Sequence, residues 1–113
     1  MGKLNCIVMD CADVGKVAEF WAAALDGYEA ETGDGWMTLK SETDPLIYFE
    51  PVPEGKAVKN RLHLNIRAPD RAAEVKRLVG LGATELEEMS PGGGYVWTNM
   101  KDVEGNEFCV SQA

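Results

Sequence analysis

His63 is the only histidine in the 113 residues, so any site here that needs an imidazole, as a ligand or as a general base near neutral pH, must use it. It sits in Arg61-Leu62-His63-Leu64-Asn65-Ile66-Arg67, where apolar and polar residues alternate with the period of a half-buried strand. That alternation predicts Leu62, Leu64 and Ile66 on one face and Arg61, His63, Asn65 and Arg67 on the other. An arginine there could clamp a ligand carboxylate through two parallel hydrogen bonds. A lone strand histidine serves equally well as a hydrogen-bonded structural group. Four aromatic residues, Trp36, Tyr48, Tyr95 and Trp97, fall in short strand-like runs and could wall a site for a flat or apolar ligand. Cys6, Cys11 and Cys109 are odd in number and lack metal-knuckle spacing. They read as thiols of a cytoplasmic protein, a role in which most cysteines are small buried hydrophobes. Gly92-Gly93-Gly94 follows no strand-to-helix turn, so a flexible hairpin is expected there rather than a phosphate loop.

These residues need elements to position them. Leu4–Cys11 is a compact apolar run suited to a buried strand. Asp13 can cap a helix whose Val14, Val17, Ala18, Trp21 and Leu25 recur on one face, with Gly27 as the stop. Short strands are expected at Tyr28–Glu31, Trp36–Lys40 and Leu46–Glu50, separated by the turn compositions Gly33-Asp34-Gly35 and Thr43-Asp44-Pro45. The second half repeats the order. A strand at Arg61–Arg67 leads to Asp70, a helix with Val75, Leu78 and Val79 inside, Gly82, and strands at Ala83–Glu88, Tyr95–Met100 and Glu107–Gln112. Cys6 precedes Asp13 by seven residues, and His63 precedes Asp70 by seven, a recurrence that marks an internal repeat. The expected fold is α+β: two βαβββ modules whose curved mixed sheets form a cup, with helices Asp13–Leu25 and Asp70–Leu81 on the convex side. One domain over residues 1–113 is expected, with module one at about 1–51, a linker at 52–60 and module two at 61–113.

Hydrophobic residues at 45% and charged residues at 27% describe a folded chain, and no apolar run reaches the roughly 20 residues that span a bilayer. The start, Met1-Gly2-Lys3-Leu4-Asn5-Cys6, lacks the basic-then-apolar pattern of a secretory leader, so export is not expected. A net charge of −8 disfavours nucleic acid and anionic membranes as partners.

The segments "DCADVGKVAEFWAAAL", "FEPVPEGKAVKNRLHLNI", "LGA" and "DVEGNEFCV" resemble, in order and spacing, the glyoxalase-like branch of the vicinal oxygen chelate superfamily. The resemblance covers nearly the whole chain and implies paired βαβββ modules, a homodimer, and a cup that in many members holds a divalent metal. Carried over position by position, it implies His63, Glu50, Cys6 and Cys109 as ligands, with Tyr48 beside Glu50 and Glu107 and Ser111 beside Cys109. Thiolate, imidazole and carboxylate together suit Zn²⁺, whereas Ni, Fe or Mn would prefer harder donors than two cysteines. That substitution tilts the expectation towards no tightly held metal. Members of the superfamily include isomerases, lyases, dioxygenases and proteins that only sequester a drug, so two functions are open. One is a metal-dependent lyase or isomerase in which Glu50 or His63 moves a proton. The other is a non-enzymatic protein that sequesters a small organic molecule between Trp36, Tyr48, Arg61, Asn65, Tyr95 and Trp97.

Overall fold

Two aspartates set the frame of a computed structural model that describes all residues, 1–113. Asp13 has an extended backbone and its carboxylate accepts from the Lys16 backbone N–H at 3.1 Å, satisfying a donor that the first helical turn leaves free. Asp70 does the same for the Ala73 N–H at 3.1 Å. Helix α1 (Val14–Ala24) and helix α2 (Arg71–Gly80) follow, within one residue of the extents that the capping pattern predicts. Positive φ at Gly27 (75°) and Gly82 (111°) turns the chain out of each helix. At Gly82 a side chain would also meet Val103 at 2.9 Å.

The chain divides into two compact units, Met1–Gly55 and Lys56–Ala113. In the first, β1 (Cys6–Cys11), α1, β2 (Glu29–Gly33), β3 (Trp36–Lys40) and β4 (Leu46–Pro51) form a sheet of order β1-β4-β3-β2. β1 runs parallel to β4 and the other neighbours are antiparallel. α1 lies across β2, β3 and β4 and buries Val17, Phe20 and Trp21 against Leu39, Ile47 and Phe49. The rings of Phe20 and Trp21 meet edge to face at 5.3 Å.

The second unit repeats this topology. β5 (Leu64–Ala68), α2, β6 (Thr84–Gly92), β7 (Tyr95–Lys101) and β8 (Glu107–Gln112) give the order β5-β8-β7-β6, with β5 parallel to β8. Val75 and Leu78 of α2 are buried with Ala68, Met100, Phe108 and Val110. Arg71 pins the start of α2 to the sheet. Its guanidinium donates to Thr98 Oγ1 at 2.6 Å and pairs with Glu88, while its backbone N–H donates to Gln112 Oε1 at 3.1 Å. In both units the α+β order βαβββ is the one expected from sequence. No helix is long and apolar enough to cross a membrane.

Several boundaries differ from expectation. The strand expected at Arg61–Arg67 begins at Leu64, because the chain bends at Arg61-Leu62 where residues 56–60 are held to β8 rather than to β5. Leu62, expected in the core, is 89% exposed as a result. β1 starts at Cys6, which leaves Leu4 outside the ladder and exposed. Gly33 lies inside β2 rather than in the turn after it. β6 runs on through Ser90-Pro91 to Gly92, with register shifts between Glu85 and Glu87 and between Met89 and Gly92.

Candidate functional site

Side-chain alternation and strand register place the chemistry-bearing residues on the sheet faces turned away from the helices. On that face of the first sheet, Val8 is level with Tyr48, Tyr48 with Thr38, and Thr38 with Glu31. In the row beside it Asp10 is level with Glu50, and Trp36 with Gly33. Glu50 and Trp36 continue the β3–β4 alignment one step beyond Met37 and Phe49, which makes this a single row across four strands. The third row holds Cys6 level with Leu46, and Lys40 level with Glu29. Lys40 closes an exposed ion pair with Glu31 at 2.6 Å.

Two features of this face are unusual. The Trp36 indole lies directly over Gly33: a Cβ built on that glycine would stand only 2.0 Å from the ring, so only glycine leaves the space. Thr38 is only 7% exposed, and its hydroxyl is fully buried with no hydrogen-bond partner. Buried hydroxyls are almost always satisfied, and leaving one unpaired costs on the order of 1–3 kcal/mol. Asp10 and Glu50 add a second cost, two carboxylates directly opposite each other.

The matching face of the second sheet carries the row Arg67, Ser111, Trp97 and Met89, and beside it Asn65, Cys109, Asn99 and Glu87. Ser111 donates to Asn65 Oδ1 at 2.8 Å. Burial pushes the Cys109 thiol above the ordinary cysteine range, and a hydrogen bond with Asn65 opposes that only in part. A neutral thiol is the resting form there. Glu107, at the head of β8, is engaged in structure: it accepts from the Asn60 N–H at 2.8 Å and pairs with the Lys56 ammonium at 3.1 Å. Burial raises its proton affinity, but the Asn60 N–H, the Lys56 ammonium and its own backbone N–H outweigh that, so its carboxyl stays below the usual range. Lys56 also donates to the Val58 carbonyl, which folds residues 56–60 into a strap on β8.

Register separates several residues that the sequence groups. Trp36, Tyr48 and Glu50 share one face of the first sheet, and Asn65, Cys109 and Trp97 one face of the second. His63 and Arg61 are exposed in the segment leading into β5 and belong to no strand. Tyr95 opens β7 and is 73% exposed. Cys6 stands four residues along the strand from the level of Glu50, roughly 13 Å. Two donors on one ion lie within about 4.5 Å of each other, so Cys6 and Glu50 do not fit a shared metal. Within neither unit do three or more His, Cys, Asp or Glu side chains gather as ligands would. Sequence reasoning passed over Asp10, Thr38, Lys56 and Arg71. Asp10 carried a usable signal, since it lies four residues after Cys6 on the same strand face.

Comparison with known proteins adds the family context. The profile of the family described as a glyoxalase-like domain matches residues 6–111. No curated protein sequence matches the chain. Among solved structures, a glyoxalase/bleomycin resistance protein/dioxygenase family enzyme from Burkholderia phytofirmans PsJN superposes with a TM-score of 0.79 at 16% identity, covering 98% of each chain. The fosfomycin resistance protein FosX from Mesorhizobium loti superposes with a TM-score of 0.76 at 12% identity, over 100% of this chain and 93% of that one. A bleomycin resistance determinant encoded on the transposon Tn5 gives 0.67 at 18% identity, covering 98% of each.

Proposed function

This chain belongs to the glyoxalase-like family of the vicinal oxygen chelate superfamily, and from that premise we propose that it binds and sequesters a small organic molecule rather than acting as a metal-dependent lyase. One observation carries the reading. The face of the first sheet away from α1 brings an indole platform, a half-buried tyrosine and an unpartnered buried hydroxyl into adjacent rows at Trp36, Tyr48 and Thr38. Mostly apolar walls with a few fixed polar groups are what a small-molecule site needs. Two solved structures of the same fold bear the names of resistance proteins, for bleomycin and for fosfomycin, both small organic molecules, which supports a small organic ligand here.

The lyase alternative requires a cation held by the donors inferred from the family pattern. Cys6 and Glu50 do not converge in the first unit, so that donor pair does not fit one cation. The binding reading also takes the protein to be a two-fold homodimer in the cytoplasm, where its three free thiols stay reduced. A thermal-shift panel of flat aromatic compounds tests the function. Ligands that bind only the folded state raise the unfolding temperature in proportion to the logarithm of their concentration over Kd. Stabilisation in the wild type that disappears in Trp36→Ala supports the proposal. Stabilisation unchanged by Trp36→Ala, or turnover of a compound that depends on added metal, refutes it.

A further inference from the structure

Resting on that binding reading, we infer that the face of the first sheet selects a flat organic cation, stacked on Trp36, with its charge on the Asp10–Glu50 pair and a hydrogen-bonding substituent on Thr38. Charge is the first reason. Five side chains of this face are acidic or basic: Asp10, Glu50, Glu29, Glu31 and Lys40 on the three rows, with Lys40 neutralising Glu31. The remaining three carboxylates give the face a net charge of −3. Asp10 and Glu50 stand opposite each other, both exposed, a like-charge pairing that a bound cation would relieve.

The second reason is the neighbouring aromatic. Trp36 continues the same row, and its indole occupies the space left by the missing side chain of Gly33 on β2. A cation over an indole face is attracted by the ring as well as by nearby carboxylates, and tryptophan is the best of the aromatic partners. A compact inorganic ion has no use for that platform, whereas a planar cation uses both features at once. The third reason is independent of charge. Thr38, in the next row beside Tyr48, has a buried hydroxyl without a partner, a polar group whose cost a ligand would remove. Because that hydroxyl is fully covered, the ligand reaches it by displacing a neighbouring side chain.

The second sheet shows that the arrangement is specific to the first. Its equivalent row holds Arg67 and Ser111 where the first has Asp10 and Glu50, and Met89 where the first has Gly33. The tryptophan is kept there, but neither the acid pair nor the open space beneath the ring.

The experiment compares two flat tricyclic probes of opposite charge, proflavine and anthracene-9-carboxylate, by calorimetric titration of the full chain at low and high salt. Four proteins are titrated: wild type, the Asp10→Asn/Glu50→Gln double variant, Trp36→Leu and Thr38→Val, each checked for a native unfolding transition. The expected result is proflavine bound at least about tenfold tighter than the anion, a preference lost in the double variant and weakened by salt. Trp36→Leu should weaken proflavine as well, and Thr38→Val by roughly three- to tenfold. Equal binding of both probes, reduced only by Trp36→Leu, overturns the cation assignment and leaves the binding reading standing. Failure of Trp36→Leu to affect either probe, or no binding of either, overturns both. Magnesium bound at the acid pair with proflavine excluded also overturns the inference, since the pair would then be an inorganic cation site.

Discussion

Replacing Glu107 by glutamine tests whether the strap at residues 56–60 is held by a buried charge. The Glu107 and Lys56 side chains are only 14% and 18% exposed, so solvent screens their pairing weakly. Glutamine keeps the shape and an oxygen for the Asn60 N–H, but it leaves the Lys56 ammonium with only the Val58 carbonyl. Removing one partner from a fully buried pair costs about 3–5 kcal/mol. The residual exposure and the retained hydrogen bond reduce that to an expected loss of about 1–2 kcal/mol at pH 7. The pH dependence follows from the direction of the shift. The folded carboxyl titrates below its unfolded value of about 4.3, so its contribution is complete above that pH and is lost as pH falls through the folded value. Urea denaturation from neutral to acid pH should therefore show the wild type losing its advantage over Glu107→Gln below about pH 4.3. A constant difference between the two proteins across that range, or no difference at pH 7, would refute the reasoning.

Trp21→Ala should cost about 3–5 kcal/mol in the same assay, because Trp21 is fully buried under α1; a loss below about 1 kcal/mol would sink the packing account. Thr38→Val exchanges an unpartnered buried hydroxyl for a methyl of the same shape and should stabilise the ligand-free protein by about 1 kcal/mol. Destabilisation instead would mean that the hydroxyl has a partner in solution. Static light scattering at micromolar concentration should give twice the chain mass, and a clean monomer that still binds ligand would remove the homodimer from the functional reading.

The helices were legible in the sequence because their signals are local. Asp13 and Asp70 announce the caps, Gly27 and Gly82 the exits, and the spacing of Val17, Trp21, Val75 and Leu78 the buried stripes. The strands were legible as elements, since Trp36–Lys40 and Glu107–Gln112 have the expected bounds. The start of β5 was not legible, because alternation from Arg61 cannot register the pull of Glu107, 47 residues away, on the Asn60 N–H. Arg71 was invisible for the same reason: its partners Thr98, Glu88 and Gln112 are brought to it only by the fold.

The site was harder to read because the two modules do not keep a constant offset. Cys6 and His63 match when the modules are aligned on their caps, and the same offset would set Glu50 against Glu107. The β6–β7 hairpin, however, spans Thr84 to Lys101 where its counterpart spans Glu29 to Lys40, six residues fewer. The bulge in β6 and the glycine turn absorb the excess, so every later residue is displaced in the alignment. Ile7 is level with Ile47 in the first sheet and Leu64 with Phe108 in the second, which makes Glu50 the counterpart of Ser111 and Tyr48 the counterpart of Cys109. The same shift makes Trp36 the counterpart of Trp97, a correspondence that no constant spacing in the sequence reveals. The two modules thus share a tryptophan whose row neighbours differ. The first module sets two carboxylates in its row and the second sets Arg67 and Ser111, so a duplicated scaffold presents opposite charges next to the same aromatic side chain.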